Sequence, residues 1–234
     1  MILDDVHWSG KFSASAKQRK DVGQRIAAVA TLAALTESRG VRYDIPGWHQ
    51  FLPPRSAGTD GTILWDETSW RLAGPEKDVT GWVTLTARRW PTRSGVIAPY
   101  ALLADKDTGR TVLRIVAHFP AGIQSGDGFA KAPARVGAWV AAVGSLGRVI
   151  RDLQAELRPD ETTLSADWNA NLSRAAWRAY INRALKGTGL RLVVPTHPTH
   201  AGGRTIDAHA TTMRVPTLRA DGFDHVGALA TLAL

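Results

Sequence analysis

Eight residues of the 234-residue chain combine useful chemistry with a common placement: Glu37, His118, Asp167, Asn169, Asp207, His209, Asp224 and His225. Most stand at the carboxyl end of a segment that reads as a strand or in the loop just after it, and in layered α/β proteins such ends line a shared crevice. An imidazole titrates near neutrality, and an adjacent carboxylate fixes its tautomer and stabilises its cation, so an Asp/His pair is a workable acid/base unit. The chain has no cysteine. Disulfides, thiolate zinc sites and cysteine nucleophiles are therefore excluded, and any bound metal must sit on carboxylates or imidazoles.

The elements that must position these groups follow from hydrophobic periodicity. Val22, Ile26, Val29 and Ala33 recur at spacings of three and four, which predicts an amphipathic helix over residues 20–34, with Leu35, Thr36 and Glu37 leaving it towards a strand. From Trp48 to Phe119 the pattern becomes short runs rich in Trp, Ile, Val and Thr separated by Gly and Pro, predicting strands over 62–66, 81–88, 96–104 and 111–119. Asp107, Thr108 and Gly109 supply hairpin chemistry between the last two. Val136, Val140, Val143, Leu146, Ile150, Leu153 and Leu157 mark one face of a long helix that Pro159 terminates. A strand over 164–167, a helix over 172–185 and closing strands over 190–194, 204–209 and 226–234 complete the reading. With no repeat or Pro/Ser linker dividing the chain, a single domain spanning 1–234 is expected, with helices covering paired sheets.

The ordered series Leu35-Thr36-Glu37, Ala117-His118-Phe119, Ala166-Asp167-Trp168-Asn169, Ile206-Asp207-Ala208-His209 and Phe223-Asp224-His225 resembles the motif series of the endonuclease/exonuclease/phosphatase superfamily, commonly LQE, THL, GDFN, IDH and SDH. The resemblance implies an α/β (α+β) four-layer sandwich of the deoxyribonuclease I-like kind, in which two mostly antiparallel sheets pack together between helices. It also implies a divalent-metal site at one mouth. Carried over residue by residue, Glu37 would bind Mg²⁺, with Mn²⁺ as an alternative, as suits a hard, oxygen-seeking ion. Asp224 would help hold the metal or its water shell. His225 would act as general base or transition-state stabiliser, oriented by Asp207; Asp167 would position or deprotonate the attacking water; Asn169 would hydrogen-bond the phosphate. His118 would donate to a phosphate oxygen or assist the leaving group. The family's first-strand asparagine is replaced by Asp4 and Asp5, either of which can ligate a metal but neither of which can donate an amide hydrogen to phosphate.

Plainer readings compete at each position. Glu37 alone reads as an exposed residue after a helix, Asp207 and His225 as a structural pair, and Asp167, Asn169 or Asn171 as caps of the following helix. His197, His200, Asp207 and His209 offer a nitrogen/oxygen zinc set, although Pro195 and Pro198 oppose a helical His pair; His200 is instead expected to reach substrate from the loop with Gly202 and Gly203. Of the nine tryptophans, Trp65, Trp82 and Trp139 fit core patterns, whereas Trp8, Trp48, Trp90 and Trp168 are rim candidates for stacking on bases. Arg88, Arg89 and Arg93 around Trp90 form the best local candidate for a phosphate contact.

A net charge of +8 favours polyanionic partners and salt-sensitive encounters. The opening residues lack a secretory pattern, and the apolar-rich run over 26–35 is about half of the ~20 residues a membrane span needs. The expectation is a cytoplasmic, monomeric, metal-dependent phosphodiester hydrolase acting on DNA or RNA without membrane insertion. Small phosphoesters or lipid headgroups are the alternative substrates, and a non-catalytic binding module the alternative class.

Overall fold

The computed structural model describes residues 5–9, 15–38, 41–54, 61–74, 79–85, 96–121, 123, 133–195, 198–199, 204–212, 217–221 and 229–233. Among these residues thirteen strands and three helices follow in the order β1 (Asp5–Ser9), α1 (Ala16–Val29), β2 (Leu32–Thr36), β3 (Trp48–Phe51), β4 (Thr62–Asp66), β5 (Trp70–Leu72), β6 (Thr80–Thr84), β7 (Ile97–Asp105), β8 (Thr111–His118), α2 (Pro133–Leu157), β9 (Glu161–Asp167), α3 (Ala175–Ala184), β10 (Arg191–Val193), β11 (Asp207–Thr211), β12 (Thr217–Asp221) and β13 (Leu229–Ala233).

They form two sheets. The first runs β12-β13-β1-β2-β4-β3; the second runs β10-β11-β9-β8-β7-β5, with β6 also on β7. Pairing is antiparallel except for β1 with β2 and β8 with β9. The sheets face one another through Leu32, Ala34, Ile63 and Trp65 on one side and Ala101, Leu103, Val112 and Val116 on the other. On the outside of the first sheet, Ala33, Leu35 and Leu64 pack with Val22 and Ile26 of α1. Outside the second sheet, Leu113, Ile115, Leu164, Ala166, Ala208 and Ala210 pack with α2 and α3. Helix, sheet, sheet and helices make the expected four-layer sandwich.

Period-two alternation sorts the second sheet cleanly. Its odd and even positions go to different partners, so apolar side chains outside hold the helices while the inner face is free to carry polar groups. The helix expected over 20–34 ends earlier, at Val29, and its last three positions, 32–34, belong instead to β2. All of β2 is buried because α1 covers one face and the second sheet covers the other, and an apolar run buried on both sides carries no strand alternation to reveal it. The strand expected over 204–209 is displaced to Asp207–Thr211, and the short strands β3, β5 and β12 carried no sufficient pattern of their own. Trp82, expected in the core, is 44% exposed on β6. Among the described residues no helix is long and apolar enough to cross a membrane.

Helices α2 and α3 touch at Gly147, where a Cβ would overlap the Ala184 carbonyl oxygen. Overpacking against backbone has no flexible side chain to relieve it. Gly147→Ala is therefore expected to destabilise the fold by about 1–3 kcal/mol despite its better helix propensity, read as a lower denaturant midpoint; an unchanged or higher midpoint would show that the two helices separate freely.

Candidate active site

Three of the sequence-selected residues share one row of the second sheet. His118 pairs with Asp167 across the parallel β8/β9 ladder, and Asp207 pairs with Asp167 across the antiparallel β9/β11 ladder. Residues in register point to the same face, and this row has the parity of Val112 and Val116, hence the inner face. Glu37 arrives from the other sheet, one residue beyond β2, with φ of 55°. Left-handed backbone is sparsely populated by side-chain-bearing residues, and here it turns the chain immediately after the strand, where Val41 N–H closes on the Ser38 carbonyl at 2.7 Å.

Ligand atoms of Glu37, His118 and Asp167 lie within 4.8 Å of one another. Donors on one octahedral Mg²⁺ lie about 3 Å apart at adjacent vertices and about 4.2 Å at opposite ones, so three groups gathered this closely could share an ion after local adjustment. The two carboxylates suit Mg²⁺ or Mn²⁺. The donor set fits a hard divalent cation.

Asp167 is held on both sides. Its Oδ1 accepts the Asn169 backbone N–H at 2.9 Å, and its Oδ2 lies 3.5 Å from His118 Nε2. Asn169, also left-handed at φ 49°, is fixed by its Nδ2–H, which donates to the Phe119 carbonyl at 2.8 Å. This is an Asx turn at the strand end. Helix α3 starts later, after Arg174, and has no side-chain cap, so the capping reading of Asp167 and Asn169 fails; Asn171 instead binds Ser173 in its own turn.

Asp207 is 2% exposed. Burial first, then the neighbouring Asp167 charge, pushes its carboxyl well above the usual aspartate range, opposed by a Thr199 hydrogen bond and the His118 charge. Thr199, which sequence reasoning missed, organises this strand start: its Oγ1 accepts the Ile206 and Asp207 N–H groups at 3.0 and 3.1 Å. A further buried set descends from the row between the sheets. Arg114 Nη2 donates to Ser165 Oγ at 2.6 Å, and Ser165 Oγ lies 2.7 Å from His209 Nδ1. An arginine inside the apolar run Val112–Val116 was the available signal for it.

Two expectations are corrected. Trp168 is fully buried rather than on the rim: its ring stacks on Phe119 at 5.0 Å, its indole N–H donates to the Ala208 carbonyl, and its own carbonyl accepts the Trp139 indole N–H at 2.6 Å. Alternation explains this, because Asp167 facing inwards sends Trp168 to the helix-covered side. His209 is likewise fully buried, so it contacts Ser165 rather than substrate, and this removes it from the zinc set. Trp48 is half-buried against the α1-side core. Asp5 begins β1, but only its backbone placement is described; Asp4, Arg88, Arg89, Trp90, Arg93, His197, His200, Asp224 and His225 lie outside the described residues.

Between its ordinary value of 3.8 and its raised folded value, Asp207 binds a proton in the folded state that the unfolded chain does not, so its contribution to stability falls as pH rises through that window. Asp207→Asn, neutral at every pH, should flatten that fall and raise the thermal midpoint at neutral pH in chelator while lowering any turnover by about 10²-fold or more. Parallel pH–stability curves for parent and variant would contradict the assignment.

No family model matches the sequence, and no curated protein matches it either. Solved structures do match. An endonuclease/exonuclease/phosphatase family protein from Bacteroides thetaiotaomicron superposes with a TM-score of 0.67 at 12% identity, covering 100% of this chain and 96% of that one. A mannosyl-6-phosphatase of the same organism gives 0.65 at 11% identity, with coverage of 98% and 99%. TDP2 from D. rerio, complexed with a single-strand DNA product, gives 0.64 at 10% identity, covering 98% of each chain. The chain therefore has the fold of the endonuclease/exonuclease/phosphatase superfamily.

Proposed function

We propose that this chain is a divalent-metal-dependent phosphodiester hydrolase whose substrate is a nucleic acid. The observation that carries the reading is the convergence of Glu37, His118 and Asp167 from two sheets on one mouth, beside Asp207. A bound divalent cation would supply charge compensation for the phosphorane-like transition state and a lowered pKa for coordinated water. Glu37 is its main protein ligand.

The remaining roles fall to side chains already held in place. Asp167, fixed by the Asn169 N–H and by His118, orients a water and takes its proton as the water oxygen bonds to phosphorus. His118 donates to a phosphate oxygen as charge builds there. The ester P–O bond breaks on the opposite side, and the leaving oxygen takes a proton from solvent water. Asp207 is too buried to remain an anion cheaply, and a partnering imidazolium, the role the family resemblance gives to His225, would offset that cost while stabilising the transition state; the same resemblance gives Asp224 to the metal side.

The +8 charge and the single-strand DNA product held by the TDP2 neighbour favour nucleic acid. The mannosyl-6-phosphatase of equal likeness favours a small phosphomonoester as the second reading. Supercoiled plasmid and labelled single-stranded DNA and RNA, each with Mg²⁺, Mn²⁺ or EDTA, test the first against generic and sugar phosphates. Metal-dependent cutting that falls by about 10²- to 10⁴-fold in Asp167→Ala and His225→Ala is expected. Cleavage in EDTA, or full activity in both variants, would refute it; turnover of sugar phosphates alone would transfer the function to the second reading.

A further inference from the structure

A second feature lies outside the first sheet. Strands β1 and β2 are parallel, so the connecting helix α1 runs back antiparallel to both, starting near their carboxyl ends. Between α1, from Ala16 to Ala27, and residues 42–46 is a cavity of about 590 Å³ that runs along the helix. Its rim carries Arg19, Lys20 and Arg42 against one carboxylate, Asp44, and Ile45 is among the apolar residues that line it.

The walls are built rather than incidental. Gln50 accepts the Tyr43 N–H at 2.9 Å and donates through Nε2 to the Val41 carbonyl at 2.9 Å and to Thr62 Oγ1 at 3.1 Å, tying residues 41–43 to the sheet. On the opposite wall, α1 comes close enough that a Cβ on Gly23 would meet Ile45 Cγ1 at 2.7 Å. Lys20 and Arg42 are exposed. The Ser38–Val41 hydrogen bond holds those two residues together, which keeps the Arg42 backbone within roughly 15 Å of Glu37.

We propose that this cleft is an accessory subsite for the sugar-phosphate backbone of a single nucleic-acid strand, a few nucleotides from the bond held at Glu37. Three cations against one carboxylate give phosphate affinity, and the apolar lining accepts the sugar face. The inference rests on the nucleic-acid reading of the neighbouring site, and it is tested without turnover so that the two can fail separately.

The test is binding of a fluorescein-labelled single-stranded oligonucleotide of about 12 nucleotides to the full chain in EDTA across a salt series, comparing Lys20→Ala/Arg42→Ala with Lys106→Ala/Lys186→Ala. The control pair removes the same charge at the far end of the sandwich, from the β7–β8 hairpin and the segment after α3. The cleft variant should bind roughly tenfold more weakly at low salt and lower the log–log salt slope by about two, with the control unchanged. Equal losses in both pairs would reduce the effect to net charge and overturn the subsite, as would no loss in the cleft variant. Competition by inorganic tripolyphosphate as strong as that of the oligonucleotide would overturn the assignment to a strand. Absence of cleavage by the parent would refute the hydrolase and leave this binding result standing.

Discussion

The candidate site depends on where one indole is held. Trp168 sits between Asp167 and Asn169 in the chain and is locked on the helix side of the second sheet by its stack on Phe119 and its bonds to Trp139 and Ala208. With that ring committed to the core, period-two alternation leaves Asp167 on the opposite, inner face. A one-residue slip would exchange a carboxylate for an indole in both environments, and neither would tolerate the exchange. Positioning of the acid is thus a consequence of packing on the far side of the sheet.

Once aimed, the acids work against the fold. Asp207 and Asp167 are adjacent in register and nearly excluded from water, and each raises the cost of ionising the other. His118 relieves part of this, and a divalent cation would relieve more. Such a conflict between local comfort and electrostatics is characteristic of functional sites, since structural positions have no reason to keep it. The left-handed backbone at Glu37 and Asn169 is a second cost at the same place.

Below the row, Arg114, Ser165 and His209 extend polarity deep between the sheets. Arginine cannot shed its proton, so a buried guanidinium must be met by acceptors, and the hydroxyls of Thr163, in register with Arg114, and of Ser165, two residues on, serve. The inner face of the second sheet is therefore polar beneath the candidate site and apolar towards β7, where Ala101 and Leu103 meet the first sheet.

Much of this was legible in one dimension. The long helix, the paired strands around the Asp107-Thr108-Gly109 turn, and the ordered Glu37, His118, Asp167 and Asp207 motifs all follow from local pattern, because periodicity and turn chemistry are set by near neighbours in the chain. The end of α1 did not, since β2 is apolar on both faces for reasons supplied by layers distant in sequence. Nor did the burial of Trp168 and His209: a side chain's type shows what it can do, while the face it occupies is decided by which layer covers that side of the strand. The sequence by itself determined the chemical groups and their order; only the tertiary structure decided that Glu37 meets His118 and Asp167, because that encounter requires two sheets to pack and no local interaction encodes it.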